Sequence, residues 1–596
     1  MNSQTYSEKQ SIFPCVGFSV AQNATEEDQL RLQVIHREIL KQFPWLTIEF
    51  HIYGEFFLTA WGFNSSSSYF VTDENERYLY LLSGTPFGDL SLASIKNDIA
   101  GLGKIDCLEG RWNFLRVNET TNRVDIWNDW VGSSPVFLYY GSSRTFISTL
   151  EAVIVKFMDL SSDDFSKRGI VELLSYGQFI GQDTLFENIN TKHPDSYSWW
   201  NQDGSSGSRW LESIPPQDEI NGHDIPLLIE KMKVLSEQAI SESLINATDP
   251  ISLPLSSGMD SRLLACILTD QKQVVEAFSY GPKEWTEVAN AKKVADALAI
   301  KWNHVNLDEN YYADYVQKWL TWFGSSLHAH GMYQYPFLNL IQKGSIIPNG
   351  FLGNNMAGGD HPNDCLFQTS KSLQERFSSY GVFWDKKSLR KLLDFNPDDF
   401  LDEINEIFNS QYSKVSEWPE YQQMNAIDMW NRQSRFVFYQ TQMYNYYGKE
   451  RSPFMWKTYA KFCMGLPSHL LKKRYLQVLM LNKYWPKVAQ IDSTFVPLTG
   501  IKRKWQGARS IVAHRMPKSL RPFMGKTPVN LMEADCMKKR KWENLYPLAT
   551  EKLKDIPWLN LLEINKTAKK SIHGDPLNTT RMRAIQPILY RILNNE

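Results

Sequence analysis

The residues best placed to do chemistry lie in one run, Asp249-Pro-Ile-Ser-Leu-Pro-Leu-Ser-Ser-Gly-Met-Asp-Ser-Arg-Leu-Leu-Ala-Cys-Ile-Leu268. Ile251 to Leu255 reads as a short apolar strand, Ser256 to Ser261 as a tight turn, and Arg262 to Leu268 as a helix whose apolar side chains suit burial against a sheet. Backbone N–H groups at a helix N-terminus, with hydroxyls beside them and a Gly that lets the chain come close, make an anion site. A phosphate or pyrophosphate is its natural guest. Asp260 would repel that guest unless it caps the helix or holds a metal that carries the phosphate. The run is not a G-x-x-x-x-G-K-[ST] loop, because no Lys follows. Pro254 is irregular, since it removes a ladder donor from the strand. Six positions alone also fit an ordinary Ser/Gly turn, so the surrounding elements decide between the readings.

Those elements alternate. Ile225 onward predicts a helix with Leu228, Met232, Leu235 and Ala239 on its apolar face and Asp224 as N-cap. After the turn come a strand from Val274 to Gly281, a helix from Glu287 to Leu298 and a strand from His304 to Leu307. This rhythm predicts a parallel sheet with helices on both faces. Residues 12 to about 210 differ in texture: Ile48–Tyr53, Tyr78–Leu82, Trp112–Val117 and Val124–Trp127 alternate or run apolar between Asn, Gly and Ser turns, which predicts a β-rich region. Asn201 to Glu219 is Gly/Ser/Pro-rich and reads as a linker.

With 596 residues the chain holds two to four domains. A composition of 42% hydrophobic and 22% charged residues is that of a globular protein, and a net charge of -2 gives no field to attract nucleic acid or membrane. The six cysteines are scattered with no C-x-x-C pair, which argues for reduced thiols rather than disulfides or a zinc site. A polar N-terminus and the lack of a long apolar run predict a cytoplasmic protein with no membrane partner. From Ile501 the chain is locally basic (Lys502-Arg-Lys, Arg509, His514-Arg, Lys518, Arg521, Lys538-Lys-Arg-Lys). A solvated surface, a groove for an acidic or peptide substrate and nucleic-acid binding compete there. No fold motif supports the last, so none is expected.

Four segments, the turn among them, carry a resemblance. Ser256 to Ser261 resembles S-G-G-x-D-S, the pyrophosphate loop of ATP pyrophosphatases, with Ser257 for the first Gly. Asp129, Gly132, Pro135, Tyr139 and Tyr140 fall on Asp-x-x-Gly-x-x-Pro-Leu-Tyr-Tyr of the glutaminase-like domain of asparagine synthetases. Ile347 to Asp360 resembles S-G-E-G-x-D-E-x-x-G-G: Asn349-Gly350 fits its start and Gly358-Gly359 its end, but Phe351 replaces Glu and Asn354-Asn355 replace Asp-Glu. Gly448 to Met455 resembles E-x-R-x-P-F through Arg451, Pro453 and Phe454, and Gly465-Leu-Pro follows. On these motifs, over residues 100 to 490, the chain is identified as a member of the asparagine synthetase family in the broad sense, with β-lactam synthetases and lasso-peptide cyclases.

The resemblance implies an α/β protein: an N-terminal Ntn-hydrolase-like αββα domain (1–210), then an adenine-nucleotide α-hydrolase, ATP-pyrophosphatase-type domain with a parallel sheet (220–500), then a basic, mostly helical extension (501–596). It implies ATP and Mg²⁺ as cofactors. Leu255, Ser256, Ser257, Gly258, Asp260 and Ser261 would hold pyrophosphate, Tyr280 the adenine, and Asn349 and Gly350 would also bind the nucleotide. Glu287, which opens the next helix, matches a family acid. Asp260 and Asn354 would face the metal, with Asp360 and Asp364 nearby. Asp260, Arg451 and Lys472 would be catalytic, Lys473 and Arg474 being alternatives to Lys472. The reaction would adenylate a small-molecule or peptide carboxylate and pass the acyl group to an amine donor, including an amine of the same molecule. A glutaminase of this class needs an N-terminal Cys whose α-amine serves as base. Residue 2 is Asn, and Cys15 would qualify only after cleavage, so glutamine hydrolysis is not expected. A nucleotide-binding paralogue acting through partners, and a true glutamine-dependent synthetase, are the alternatives. A homodimer or a partner protein from the same pathway is the expected assembly.

Overall fold

The computed structural model describes residues 11–63, 67–140, 145–245, 248–281, 283, 286–307, 311–323, 334–359, 383–493, 556–572 and 576–593. Two antiparallel six-stranded sheets open the chain. The first joins β1 (Gly17–Gln22), β2 (Leu46–Tyr53), β3 (Phe56–Phe63), β8 (Phe137–Tyr140), β9 (Thr145–Ser148) and β10 (Ile189–Thr191) in the order β10-β8-β9-β1-β3-β2. The second joins β4 (Phe70–Asp73), β5 (Tyr78–Gly88), β6 (Leu108–Asn118), β7 (Arg123–Asn128), β11 (Ser196–Trp200) and β12 (Ser206–Trp210) in the order β12-β11-β7-β6-β5-β4. Side chains alternate across a strand, and both faces of each sheet are covered. Phe18, Val20, Leu58 and Ala60 of the first sheet meet Leu79, Leu81, Leu115, Val117 and Ile126 of the second. On the outside, Phe57 and Trp61 pack on Leu32, Ile35 and Ile39 of α1 (Glu26–Gln42), while Leu82 and Phe114 pack on Leu92 and Ile95 of α2 (Leu92–Leu102). The result is a four-layer αββα sandwich.

Asp129 braces the turn after β7, accepting from the N–H groups of Val131 (3.0 Å) and Ser133 (3.1 Å) while Gly132 takes φ +66°. The stretch read as a linker is only partly one. Ser206–Trp210 is strand β12, paired with β11. Its Gly content has a packing cause, because a Cβ on Gly207 would overlap the Trp199 ring.

The second unit begins with α5 (Ile225–Ser243), capped by the Asp224 carboxylate on the Leu227 N–H at 3.0 Å, and the four predicted apolar residues are buried. Five parallel strands follow: β13 (Ile251–Pro254), β14 (Val275–Tyr280), β15 (Lys301–Val305), β16 (Ile346–Pro348) and β17 (Lys449–Arg451), in the order β15-β14-β13-β16-β17. Helices α6 (Met259–Asp270) and α7 (Thr286–Ala297) lie between β13 and β15 in the chain. α6 starts three residues earlier than its apolar pattern suggests, inside the predicted turn. Pro254 is accommodated by the ladder. Odd residues of β13 face β14, as when Leu255 N–H donates to Phe278 (2.8 Å), and the even side faces β16, with which β13 shares the single register pair Ile251–Ile346. At 254 no ladder donor is called for.

The chain runs outward from β13 in one direction through β14 and β15, then returns to its other side for β16. Strand order therefore reverses between β13 and β16. In an open parallel sheet, the crevice beyond the strand ends at such a reversal is where ligands bind. Asp360, Asp364 and the basic run from Lys502 to Lys541 lie outside the described residues. Farther on, helices Leu561–Ile572 and Pro576–Leu593 pack back on the body, where Arg581 pairs with Asp385 (2.7 Å). Among the described residues no helix is long and apolar enough to cross a membrane.

Candidate functional site at the sheet crossover

Beyond β13, Ser256-Ser257-Gly258 leads straight into α6. Ser256 and Ser261 tie the loop: their hydroxyls lie 2.9 Å apart, the Ser256 N–H donates to Ser261 Oγ (3.1 Å), and Gly258 N–H donates to Ser256 Oγ (3.1 Å). Gly258 is the N-cap, extended at φ -65°, ψ 162°, with no side-chain cap. Helix N–H groups therefore face the crevice without a capping side chain. Behind the loop, Arg262 is wholly buried. It donates to the carbonyls of Ser257 (2.9 Å), Val488 (3.1 Å), Ile491 (2.7 Å) and Asp492 (3.2 Å). Burial lowers its pKa to about 10, so it stays charged at neutral pH and braces the loop from outside the site.

Asp260, in the first turn of α6, is where the elements converge. Past β16, Gly350 lies against it so closely that a Cβ there would overlap the Asp260 side chain. A Cβ on Gly353, at the start of the short helix Gly353–Met356, would stand 2.6 Å from Asp260 Oδ1. The carboxylate takes a bidentate pair of bonds from Arg474, Nη1 to Oδ1 and Nη2 to Oδ2, each 3.0 Å. Arg474 Nη2 also donates to Asn354 Oδ1. Asn354 sits in the short helix Gly353–Met356, and a Cβ on Gly359 would overlap its amide oxygen and crowd Arg474 Nε. Lys473 (φ 54°, ψ 34°) and Arg474 (φ 56°, ψ 38°) are both left-handed, an arrangement costly for non-Gly residues.

The structure thus brings together Ser256, Ser257, Gly258, Asp260, Ser261, Gly350 and Asn354 of the expected set. Leu255 is buried at the strand end. Tyr280 ends β14, and the Gly281 after it accepts from His304 Nε2 (2.7 Å). Burial raises the Tyr280 phenol and the Glu287 carboxyl above their ordinary values. Asn349 turns its side chain into the core, donating to Glu450 and accepting from the Phe351 N–H (3.0 Å) and Ser452 Oγ (3.1 Å). Arg451 points to the other side of β17, where its Nε donates to the Ser243 carbonyl at 2.9 Å. Lys472 is exposed. Asn355 donates to Asp428, and its carbonyl accepts from the Tyr421 hydroxyl (3.4 Å).

A Mg²⁺ held by this chain at Asp260 and Asn354 does not fit these donors. Both carboxylate oxygens and the amide oxygen are engaged by one guanidinium, Asn355 is engaged by Asp428, and among the described residues no cluster of three His, Cys, Asp or Glu could hold a metal. Mg²⁺ needs one or two carboxylates of its own.

A feature no motif indicated joins the two units. Arg111 of β6 and Glu450 of β17, both fully buried, form an ion pair. Arg111 also donates to Thr441 Oγ1 (2.9 Å), and to the carbonyls of Ser133 (2.5 Å) and Phe438 (3.3 Å). Glu450 holds Asn349, next to Gly350. In the first unit Cys15 is buried, its N–H bonded to Leu82 (2.9 Å), and Ile12 before it is buried too, with its N–H on Leu90 (3.1 Å).

An αββα sandwich joined to a parallel sheet, with a Ser/Gly loop at the strand-order reversal, is the architecture expected of an asparagine-synthetase-like C–N ligase. The asparagine synthase family model matches residues 233–546, more than half of the chain, and the chain belongs to that family. No curated protein matches it. Among solved structures it is similar to glutamine phosphoribosylpyrophosphate (PRPP) amidotransferase from B. subtilis complexed with ADP and GMP, at TM-score 0.21 and 10% identity over 60% of this chain and 79% of that one. A second, described as the allosteric regulatory enzyme of purine biosynthesis, has TM-score 0.22 and 9% identity over 60% and 78%.

Proposed function

We propose that the chain binds ATP at the β13–β16 crevice and forms an amide by adenylating a carboxylate, releasing pyrophosphate into the Ser256–Ser261 loop. The observation that carries this reading is the uncapped α6 N-terminus, laced by Ser256 and Ser261 and set at the strand-order reversal. The substrate carboxylate attacks the α-phosphorus, the bond to the β-phosphate oxygen breaks, and the loop N–H groups and Arg474 offset the charge that develops on the leaving group. An amine then displaces AMP from the acyl carbon. Tyr280 and Gly281 border the adenine end.

The buried Cys15, whose backbone nitrogen is an amide donor in a packed segment, supports an amine that does not come from glutamine. Free ammonia, or an amine on the substrate that yields a lactam or macrolactam, fits this reading. The carboxylate is a small molecule or a peptide, the setting cytoplasmic, and assembly a homodimer or a pathway partner. A second reading, a nucleotide-binding paralogue acting through a partner, is favoured by Phe351 and Asn354 at positions where the family has acids. Pyrophosphate release from ATP, with a carboxylate panel including aspartate, tests the choice. Release by the wild type that is lost in Asp260→Ala supports adenylation. ATP binding without release for any carboxylate favours the paralogue.

A further inference from the structure

We infer that Arg474 takes the place of a protein-held magnesium ion, so that this site binds a nucleoside triphosphate without needing a divalent cation. This rests on the nucleotide reading of the same site. The guanidinium sits where a metal would have to sit to join Asp260 to Asn354, and spans both: two bonds of 3.0 Å to the carboxylate and a third to the amide oxygen. Three features serve that placement. The side chain is 11% exposed and hence held rather than swinging in solvent. Its backbone is fixed in the left-handed region beside a second left-handed residue. Gly359 supplies no side chain at the point where a Cβ would press on Arg474 Nε and Asn354 Oδ1. The amide for carboxylate at 354 then has a physical sense. An amide oxygen is a poor Mg²⁺ ligand but a good acceptor for a guanidinium, which presents five donors in a planar fork and suits phosphate oxygens as well as carboxylates. Arg474 forms one wall beside the α6 N-terminus, and with the loop N–H groups it supplies positive character on two sides of the pyrophosphate.

The test is equilibrium binding of ATP to the full chain, with excess EDTA and with Mg²⁺, for wild type, Arg474→Ala and Arg474→Lys. Circular dichroism confirms that each variant is folded. Wild-type affinity is expected to change by no more than about threefold between the two conditions. Arg474→Ala should weaken binding in EDTA by about 10- to 100-fold, the loss of a charged hydrogen-bonding partner. Mg²⁺ should recover part of that loss, since Asp260 is released. Arg474→Lys should fall between, keeping charge but not the fork. The wild type keeps the inference testable even if both variants misfold. Wild-type binding that collapses in EDTA, or Arg474→Ala binding as well as wild type in EDTA, overturns the inference while leaving the nucleotide site standing. No ATP binding by wild type in either condition overturns the nucleotide reading, and the inference with it.

Discussion

Replacing Arg111 with Met removes the positive charge paired with Glu450 in the interior between the two units. Four acceptors lose a donor at once, the Glu450 carboxylate, Thr441 Oγ1 and the carbonyls of Ser133 and Phe438, although Phe438 keeps the Thr441 hydroxyl (3.1 Å). Glu450 keeps Asn349 and Ser452, which are neutral and cannot offset a buried charge. Breaking a buried pair from one side costs about 3–5 kcal/mol. For a unit of this size that lowers the midpoint of thermal unfolding by about 6 °C or more. Arg111→Met/Glu450→Gln removes the orphaned charge yet keeps an acceptor for Asn349 and Ser452, and should recover at least half of the loss. The pH dependence adds a signature. Burial already raises the Glu450 carboxyl above its ordinary value, with Arg111 opposing it. A raised folded-state value means stability present below the unfolded value and lost as pH climbs through the folded one. Without Arg111 the value rises further, so the single variant's deficit should be smaller near pH 5 than near pH 8. Scanning fluorimetry across that range is the assay. A single variant within about 1 kcal/mol of wild type, or a double variant no better than the single, refutes the idea that this pair holds the units together.

Gly350→Ala should abolish ATP binding and lower the unfolding midpoint, because the added methyl overlaps Asp260 Cβ; titration with a fluorescent ATP analogue and scanning fluorimetry measure the two. Cys15 should resist a thiol reagent in the native protein and react on unfolding, since burial raises its pKa and hides it; glutamine should then yield no ammonia. Glu109, beside Lys457, is pushed up to about 7 by burial against an ordinary 4.5. Stability it lends is present below about pH 4.5 and lost as pH rises through about 7, so Glu109→Gln should flatten the unfolding midpoint over that window. Asp224→Ala should cost about 1 kcal/mol through loss of the α5 cap, read by denaturant unfolding.

What the sequence disclosed was whatever repeats locally. The apolar face of α5, its Asp224 cap and the strand–helix alternation around Ser256–Ser261 are periodic patterns, and the structure follows them. The Gly/Ser stretch after Trp200 misled because small residues mark a hairpin lying over an aromatic ring as well as they mark a linker. Arg451 matched its motif, but β17 alternates: Glu450 faces the first unit, while Lys449 and Arg451 face Asp249 and Ser243. Type and spacing cannot say which side of a strand meets the ligand. Of the run Lys472-Lys473-Arg474, only a turn with no Gly or Asn to announce it decides that Arg474 aims inward. The Arg111–Glu450 pair, 339 residues apart in the chain, has no local signature at all.

Two successive left-handed residues at Lys473 and Arg474 bear on how this protein can change over generations. Glycine at 473 would relax the backbone and stabilise the fold, so selection for sturdiness alone would favour it. The same change would let the guanidinium wander from Asp260. A lineage that keeps the strained Lys-Arg pair is therefore one in which selection acts on aim rather than on thermal endurance. Its position in the site, and not its contribution to the fold, is what would be inherited.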